Sequence, residues 1–144
     1  YVLLKKNEIW YDKIMTKIYE YKFKIYYEDT DSGGVVYYAN YLKFIERARS
    51  EIIKSLGFSN TNLREKFNLF FIVKYCNINY KKPAKLEDEL IVFTSVVSLS
   101  KTSLVMKQDV KRHDDLVAEA EVCLVAVNMK GKPTKIPEEL KKLF

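Results

Sequence analysis

Tyr26-Tyr27-Glu28-Asp29-Thr30-Asp31-Ser32-Gly33-Gly34-Val35-Val36-Tyr37-Tyr38-Ala39-Asn40-Tyr41-Leu42-Lys43-Phe44-Ile45-Glu46-Arg47-Ala48-Arg49-Ser50-Glu51-Ile52-Ile53 is the stretch that decides the fold. Leading into it, Lys22 to Tyr27 alternates. Phe23, Ile25 and Tyr27 share one face and Lys22, Lys24 and Tyr26 the other, which predicts a half-buried strand. Acids and a glycine pair follow, a combination that folds the chain back. From Tyr41 the period lengthens. Tyr41, Ile45, Ala48, Ile52 and Leu56 recur at three- and four-residue steps, with Leu42 and Ile53 beside them. Lys43, Glu46, Arg47, Ser50 and Lys54 fall opposite, so the pattern predicts an amphipathic helix of about five turns. Gly57 suits its left-handed stop. A strand end, a flexible turn and a helix start together hold a carboxylate beside free backbone N–H groups. Those are the parts that polarise and attack a carbonyl.

Downstream, Ser59 to Phe67 reads as a short helical turn or loop, and strands follow. Leu69 to Tyr80, Glu89 to Leu99, Ser103 to Lys111 and Leu116 to Met129 are rich in β-branched and aromatic residues. Lys82 to Asp88, punctuated by Pro83, is a polar connection. Ser100-Lys101-Thr102 and His113-Asp114-Asp115 are turns, Gly131 and Pro133 end the last strand, and Pro137 opens a final helix through Leu143. Short connections predict antiparallel hairpins between consecutive strands. With one long helix to cover the sheet, the expectation is an α+β sandwich: a long central helix on a curved antiparallel sheet of five or so strands. Residues 1–14 read as an upstream extension or short helix without assigned chemistry, and residues 15–144 as one domain.

The totals suit an ordinary globular chain. Its 144 residues are 48% hydrophobic and 31% charged, with four glycines and three prolines, which leaves little room for disordered linkers. A net charge of +6 admits nucleic acid, phosphate-bearing cofactors or acidic carrier proteins as partners. The lysines are scattered, which ranks nucleic acid below small phosphates. Cys76 and Cys123 lie in apolar runs and are expected as free thiols. No run reaches the length of a membrane span, and the first residues lack the apolar core of a signal peptide, so a cytoplasmic setting is expected.

Much familiar chemistry is missing. No Walker loop, dinucleotide fingerprint, zincin motif or paired CxxC is present. The single histidine, His113, sits in a charged turn, so neither a zinc site nor a Ser-His-Asp triad is expected. Asp29 to Gly34 fails the spacing of a calcium loop, because Gly33 falls on a ligand position and Asn40 stands where the bidentate acid belongs. The carboxylates of Asp29 and Asp31 remain. Either they cap a turn, as aspartates often do, or one of them faces a bound electrophile.

Tyr-Glu-Asp-Thr-Asp-Ser-Gly-Gly-Val-Val-Tyr-Tyr-Ala-Asn-Tyr-Leu, followed by Glu46-Arg47-Ala48-Arg49, resembles the signature of the hotdog-fold acyl-CoA thioesterases. The match is to the YbgC-like branch, related to 4-hydroxybenzoyl-CoA thioesterase. It is dense over residues 22–57 and looser through the later strands and the Lys-Pro-Thr-Lys-Ile-Pro ending. The resemblance implies hydrolysis of acyl-CoA or acyl-carrier-protein thioesters. It puts the catalytic aspartate at Asp31 and the backbone oxyanion donor at Tyr38, where many relatives carry histidine. It assigns Gly34, Val35, Lys101, Ser103, Lys132 and Lys135 to substrate binding, the lysines facing the nucleotide phosphates or standing as solvated charges. Glu46 is a secondary candidate, or a solvated residue paired with Arg49 or Ser50. It implies no metal and no separate cofactor, since coenzyme A is part of the substrate. It further implies a dimer or tetramer with the site at a subunit interface, and association with the Tol–Pal system. Asp31 either attacks the carbonyl or orients the attacking water. A non-catalytic acyl-thioester-binding or assembly module is the alternative.

Overall fold

A computed structural model describes residues 17–142 and 144. The expectation for residues 1–14 therefore lies outside the described residues. The elements are β1 (Tyr19–Lys24), α1 (Asn40–Ser55), α2 (Asn60–Phe67), β2 (Leu69–Tyr80), β3 (Glu89–Leu99), β4 (Ser103–Arg112), β5 (Asp115–Asn128) and α3 (Glu138–Lys141). The five strands form one antiparallel sheet in the order β1-β3-β4-β5-β2. Bulges at Val73/Tyr75, Val96/Ser98 and Val110/Lys111 break the ladders and bend the sheet around α1. This is the hotdog architecture.

Sequence order and sheet order part company once. β3-β4 and β4-β5 are hairpins as expected, but β2 and β3 are not neighbours. The connection 81–88 carries the chain from edge strand β2 across the sheet to β3, which lies beside β1. The short polar linker predicts a hairpin, but it crosses one end of the sheet instead. The first strand also ends early, at Lys24. Tyr27 lies in a 3-10 turn over Tyr27–Asp29 and is 82% exposed, not on the buried face. An Asp29 carboxylate oxygen captures the Tyr26 N–H at 2.9 Å, a local bond that competes with continuing the strand.

The core lies between α1 and the inward side chains of the sheet. Phe44, Ile45, Ala48 and Ile53 of α1 meet Leu90, Val92, Leu104, Met106, Val110 and Val122. Leu42, expected beside the apolar stripe, is exposed. Phe44 fills that role and packs on Phe23 at 4.5 Å between ring centroids. Ser59 caps α2 by accepting the Asn62 N–H at 3.0 Å, and Asn68 ends it at a φ of 52°. Cys76 is opposite Val122 and Tyr75 opposite Cys123, so strand alternation puts the thiols on opposite faces, and both are free.

The 81–88 connection is fastened where it approaches the functional segment. Asp88 accepts from the Lys85 N–H at 2.9 Å and from an Arg112 guanidinium nitrogen at 2.7 Å. Burial alone would raise the Asp88 pKa, but the Lys85 N–H and Arg112 together hold it below its ordinary value of 3.8. A depressed folded-state pKa contributes stability above the unfolded value that is lost as pH falls through the folded one. Asp88→Asn is therefore expected to cost about 1–2 kcal/mol at neutral pH and progressively less below about pH 4. Thermal melts against pH check this, and a pH-independent loss would refute the linkage.

Candidate active site

The acids and glycines build a miniature hairpin. The Asp31 N–H donates to the Val35 carbonyl at 2.9 Å, and the Tyr37 N–H to the Asp29 carbonyl at 2.9 Å, with Thr30 bridged to Val36 between them. At the tip the Gly34 N–H closes on the Asp31 carbonyl at 3.0 Å, and Gly34 takes a φ of +78° that favours glycine. The Gly33 N–H donates to Asp31 Oδ1 at 2.8 Å. A Cβ at Gly33 would stand 3.1 Å from that oxygen, so the glycine leaves room for the carboxylate over the turn.

The two aspartates have different jobs. Asp29 is buried, its carboxylate spent on the Tyr26 N–H. Asp31 is exposed, and its second oxygen has no hydrogen-bond partner among the described residues.

The hairpin runs directly into α1. The Asn40 N–H donates to the Tyr37 carbonyl at 2.9 Å, while the N–H groups of Tyr38 and Ala39 donate no hydrogen bond among the described residues. They are unsatisfied donors at a helix head, where the helix dipole adds positive potential. Side chains fix that head in place. Asn40 Nδ2 donates to the Asp29 carbonyl at 3.0 Å, and the Tyr80 hydroxyl to the Tyr38 carbonyl at 3.0 Å. The Tyr38 ring, 62% exposed, meets Tyr80 and Tyr37 edge-on. Tyr41 is buried against Tyr80, and burial pushes its pKa up to about 12 despite a hydrogen bond with the Ala84 backbone. The 81–88 connection forms the floor: the Val36 N–H donates to the Ala84 carbonyl at 2.8 Å, and Val35 bridges Lys85. Asp31, Gly34, Val35 and Tyr38 thus share one hairpin and helix head.

The other candidates lie elsewhere. Lys101, Ser103, Lys132 and Lys135 gather at the far end of the sheet. The Ile136 N–H donates to the Lys101 carbonyl at 2.9 Å, and the Asn128 N–H to the Lys132 carbonyl at 2.8 Å. The three lysines are exposed, without an ion pair among the described residues. Ser103 is tied to Ser100, hydroxyl to hydroxyl, at 2.7 Å. Tyr80 stands opposite Ala118 and Ser103 opposite Val125, so the two ends are about 23 Å apart along β5 at roughly 3.3 Å per residue. His113 is exposed in its turn at a φ of 52°.

A cavity of about 450 Å³ opens between α1, α2 and the edge strand β2. Its wall includes Glu46, Arg49, Ile53, Leu63, Phe71, Val73, Leu104 and Met106, and neither Asp31 nor Tyr38. Glu46 accepts from the Ser50 hydroxyl at 2.8 Å. Burial pushes the Arg49 guanidinium pKa down. The residues passed over in the sequence are Tyr80, which anchors Tyr38, and Gln108, which contacts α1 from β4. For Gln108 a signal existed: it interrupts the inward row Leu104, Met106 and Val110 at a two-residue step.

Comparison with known proteins identifies the family. A sequence model of the thioesterase superfamily matches residues 33–119, from the hairpin through most of the sheet. The chain is 39% identical over 127 residues to the acyl-CoA thioesterase YbgC of Haemophilus influenzae, covering 88% of this chain and 93% of that protein. It is likewise 39% identical over 127 residues to the acyl-CoA thioester hydrolase YbgC of Escherichia coli, covering 87% and 94%. Among solved structures, a probable thioesterase from Bartonella henselae superposes with a TM-score of 0.81 at 34% identity, covering 84% of this chain and all of that one. With this hairpin, this sheet order and matches of this extent, the chain belongs to the thioesterase superfamily.

Proposed function

We propose that this protein hydrolyses acyl-CoA thioesters to the free acid and coenzyme A, with Asp31 and the helix-head N–H of Tyr38 as the reacting pair. The observation that carries the reading is the pairing of an exposed carboxylate, one oxygen uncommitted, with undonated N–H groups on the same hairpin and helix head. A thioester has a good thiolate leaving group, so one carboxylate and one oxyanion donor suffice without a metal or separate cofactor. Either Asp31 attacks the carbonyl, expelling the thiolate and forming an anhydride that water cleaves, or it takes a proton from the attacking water. An acyl carrier protein is the other deliverer of the thioester, and Tol–Pal machinery the associated partner. A cytoplasmic setting suits the free thiols. No helix among the described residues is long and apolar enough to cross a membrane.

Thiol release from a panel of short, long and aromatic acyl-CoAs tests the activity. Turnover of at least one class supports it, and tight binding without turnover selects the acyl-binding module instead.

A second copy completes the site in this reading. β2 is an edge strand, with Ile72, Val73 and Tyr75 exposed beside the cavity mouth. Antiparallel pairing of two β2 strands about their middle would set the lysine end of one copy beside the Asp31 hairpin of the other. That crosses the gap of about 23 Å which separates these groups within one chain. Light scattering at assay concentration is expected to read a dimer or tetramer. A monomer with full turnover would refute the shared site.

A further inference from the structure

The inner face of β4 runs Leu104, Met106, Gln108 and Val110, all buried, and Gln108 is fully enclosed. Its amide makes three hydrogen bonds that fix its orientation. Nε2 donates to the Ile45 carbonyl of α1 at 2.9 Å and to Thr94 Oγ1 of β3 at 3.0 Å. Oε1 accepts from Arg49 Nη1 at 2.9 Å. Ile45 and Arg49 are one turn apart, so a single side chain from the sheet grips one turn of the helix. A buried polar network adds little stability over an apolar side chain of the same volume, but it admits one arrangement where apolar contacts admit several. Around it α1 meets the sheet through Phe44, Ala48 and Ile53, apolar contacts that carry no directional bond. Ile45 is about 10 Å along the helix axis from Tyr38, and the intervening helix transmits a shift as a rod.

We propose that Gln108 is a positioning residue for thioester hydrolysis: by holding Ile45 and Arg49 it fixes the axial register of α1, and with it the place of the Tyr38 and Ala39 N–H groups. The inference rests on reading those groups as the oxyanion donors. Misplacing a reacting contact by 1 Å costs about 10²-fold in rate, so a fraction of that shift is readable.

Gln108→Met keeps the length and volume of the side chain and removes every hydrogen bond it makes. It is expected to fold, with kcat reduced about tenfold or more and KM within about twofold of wild type. A folded Gln108→Met protein with wild-type kcat, or with a raised KM alone, overturns the inference. If that variant does not fold, Gln108→Glu keeps the acceptor for Arg49, loses the donor to Ile45 and carries the same kinetic test. Loss of fold in both variants also overturns it, because Gln108 would then serve stability. Tyr38→Pro assayed in parallel separates the two readings. If its kcat equals that of Tyr38→Ala, the oxyanion assignment fails; if its kcat falls well below that of Tyr38→Ala while folded Gln108→Met keeps wild-type kcat, only the positioning role fails.

Discussion

Asp31→Asn should give a folded protein whose release of thiol from acyl-CoA is lower by about 10³-fold or more. The fold is expected to survive for local reasons. Asp31 is exposed, and Asn retains an oxygen to accept the Gly33 N–H now held at 2.8 Å. Asn is also at ease in turns of this kind, and an exposed substitution that keeps its hydrogen bond usually stays within about 0.5 kcal/mol. The backbone bonds from Asp31 to Val35 and from Gly34 to Asp31 do not involve the side chain. What the amide cannot do is attack a carbonyl or accept a proton from water, and general-base assistance alone is worth typically ~10²–10⁴-fold. Paired kinetics and thermal melts separate these effects. Wild-type turnover in the variant would remove Asp31 from the reaction. Single turnover in isotope-labelled water then tests side-chain attack: label entering Asp31 itself identifies an anhydride that water opens at the aspartyl carbonyl, whereas label in the released acid alone is common to an oriented water and to an anhydride opened at the acyl carbon. The neighbour offers a contrast. Asp29→Asn removes part of a buried turn, so its cost should appear in stability first.

The elements with strong local periods were legible. α1 follows from its three- and four-residue spacing, and the strands after residue 68 from alternation and turn residues. The hairpin tip follows from Gly33 and Gly34, since a Cβ at Gly33 would crowd the carboxylate folded over the turn and the tip needs the φ of Gly34. Non-local features were not legible. Whether β2 pairs with β3 or lies beyond β5 depends on which strands share hydrogen bonds across the whole sheet, and the composition of Lys82 to Asp88 carries no such information. The exchange of Leu42 for Phe44 in the core reflects a helix rotated toward Phe23, a tertiary contact. Asp29 and Asp31 look alike as residues, and only the capture of the Tyr26 N–H separates them. The family resemblance carried the function and the lysine assignments, but the sequence could not show that those lysines lie at the other end of the sheet. That placement is what makes a second copy part of the proposed site.

Tyr38→Pro should cut kcat by about 10²–10³-fold relative to Tyr38→Ala, with both variants folded. The two substitutions remove the same ring, so the contacts with Tyr37 and Tyr80 are lost equally. They differ chiefly in the backbone N–H, which proline lacks. That N–H donates no hydrogen bond among the described residues, so removing it breaks no bond of the fold. Proline suits a helix entrance, and it biases the preceding residue toward the extended conformation that suits Tyr37 at the end of its ladder. The Tyr38 carbonyl, which accepts from the Tyr80 hydroxyl at 3.0 Å, is present in both. A kinetic difference between the two therefore measures a donor aimed at charge that develops on the substrate, and loss of one such donor is worth ~2.7–4 kcal/mol in a hydrolase. Because that charge appears in the transition state, the loss should fall on kcat with KM little changed. The helix dipole and the Ala39 N–H persist in both variants, so residual turnover is expected in Tyr38→Pro. Equal kcat in Tyr38→Pro and Tyr38→Ala would show that the oxyanion is held elsewhere, and the Asp31 carboxylate would need a different electrophilic partner.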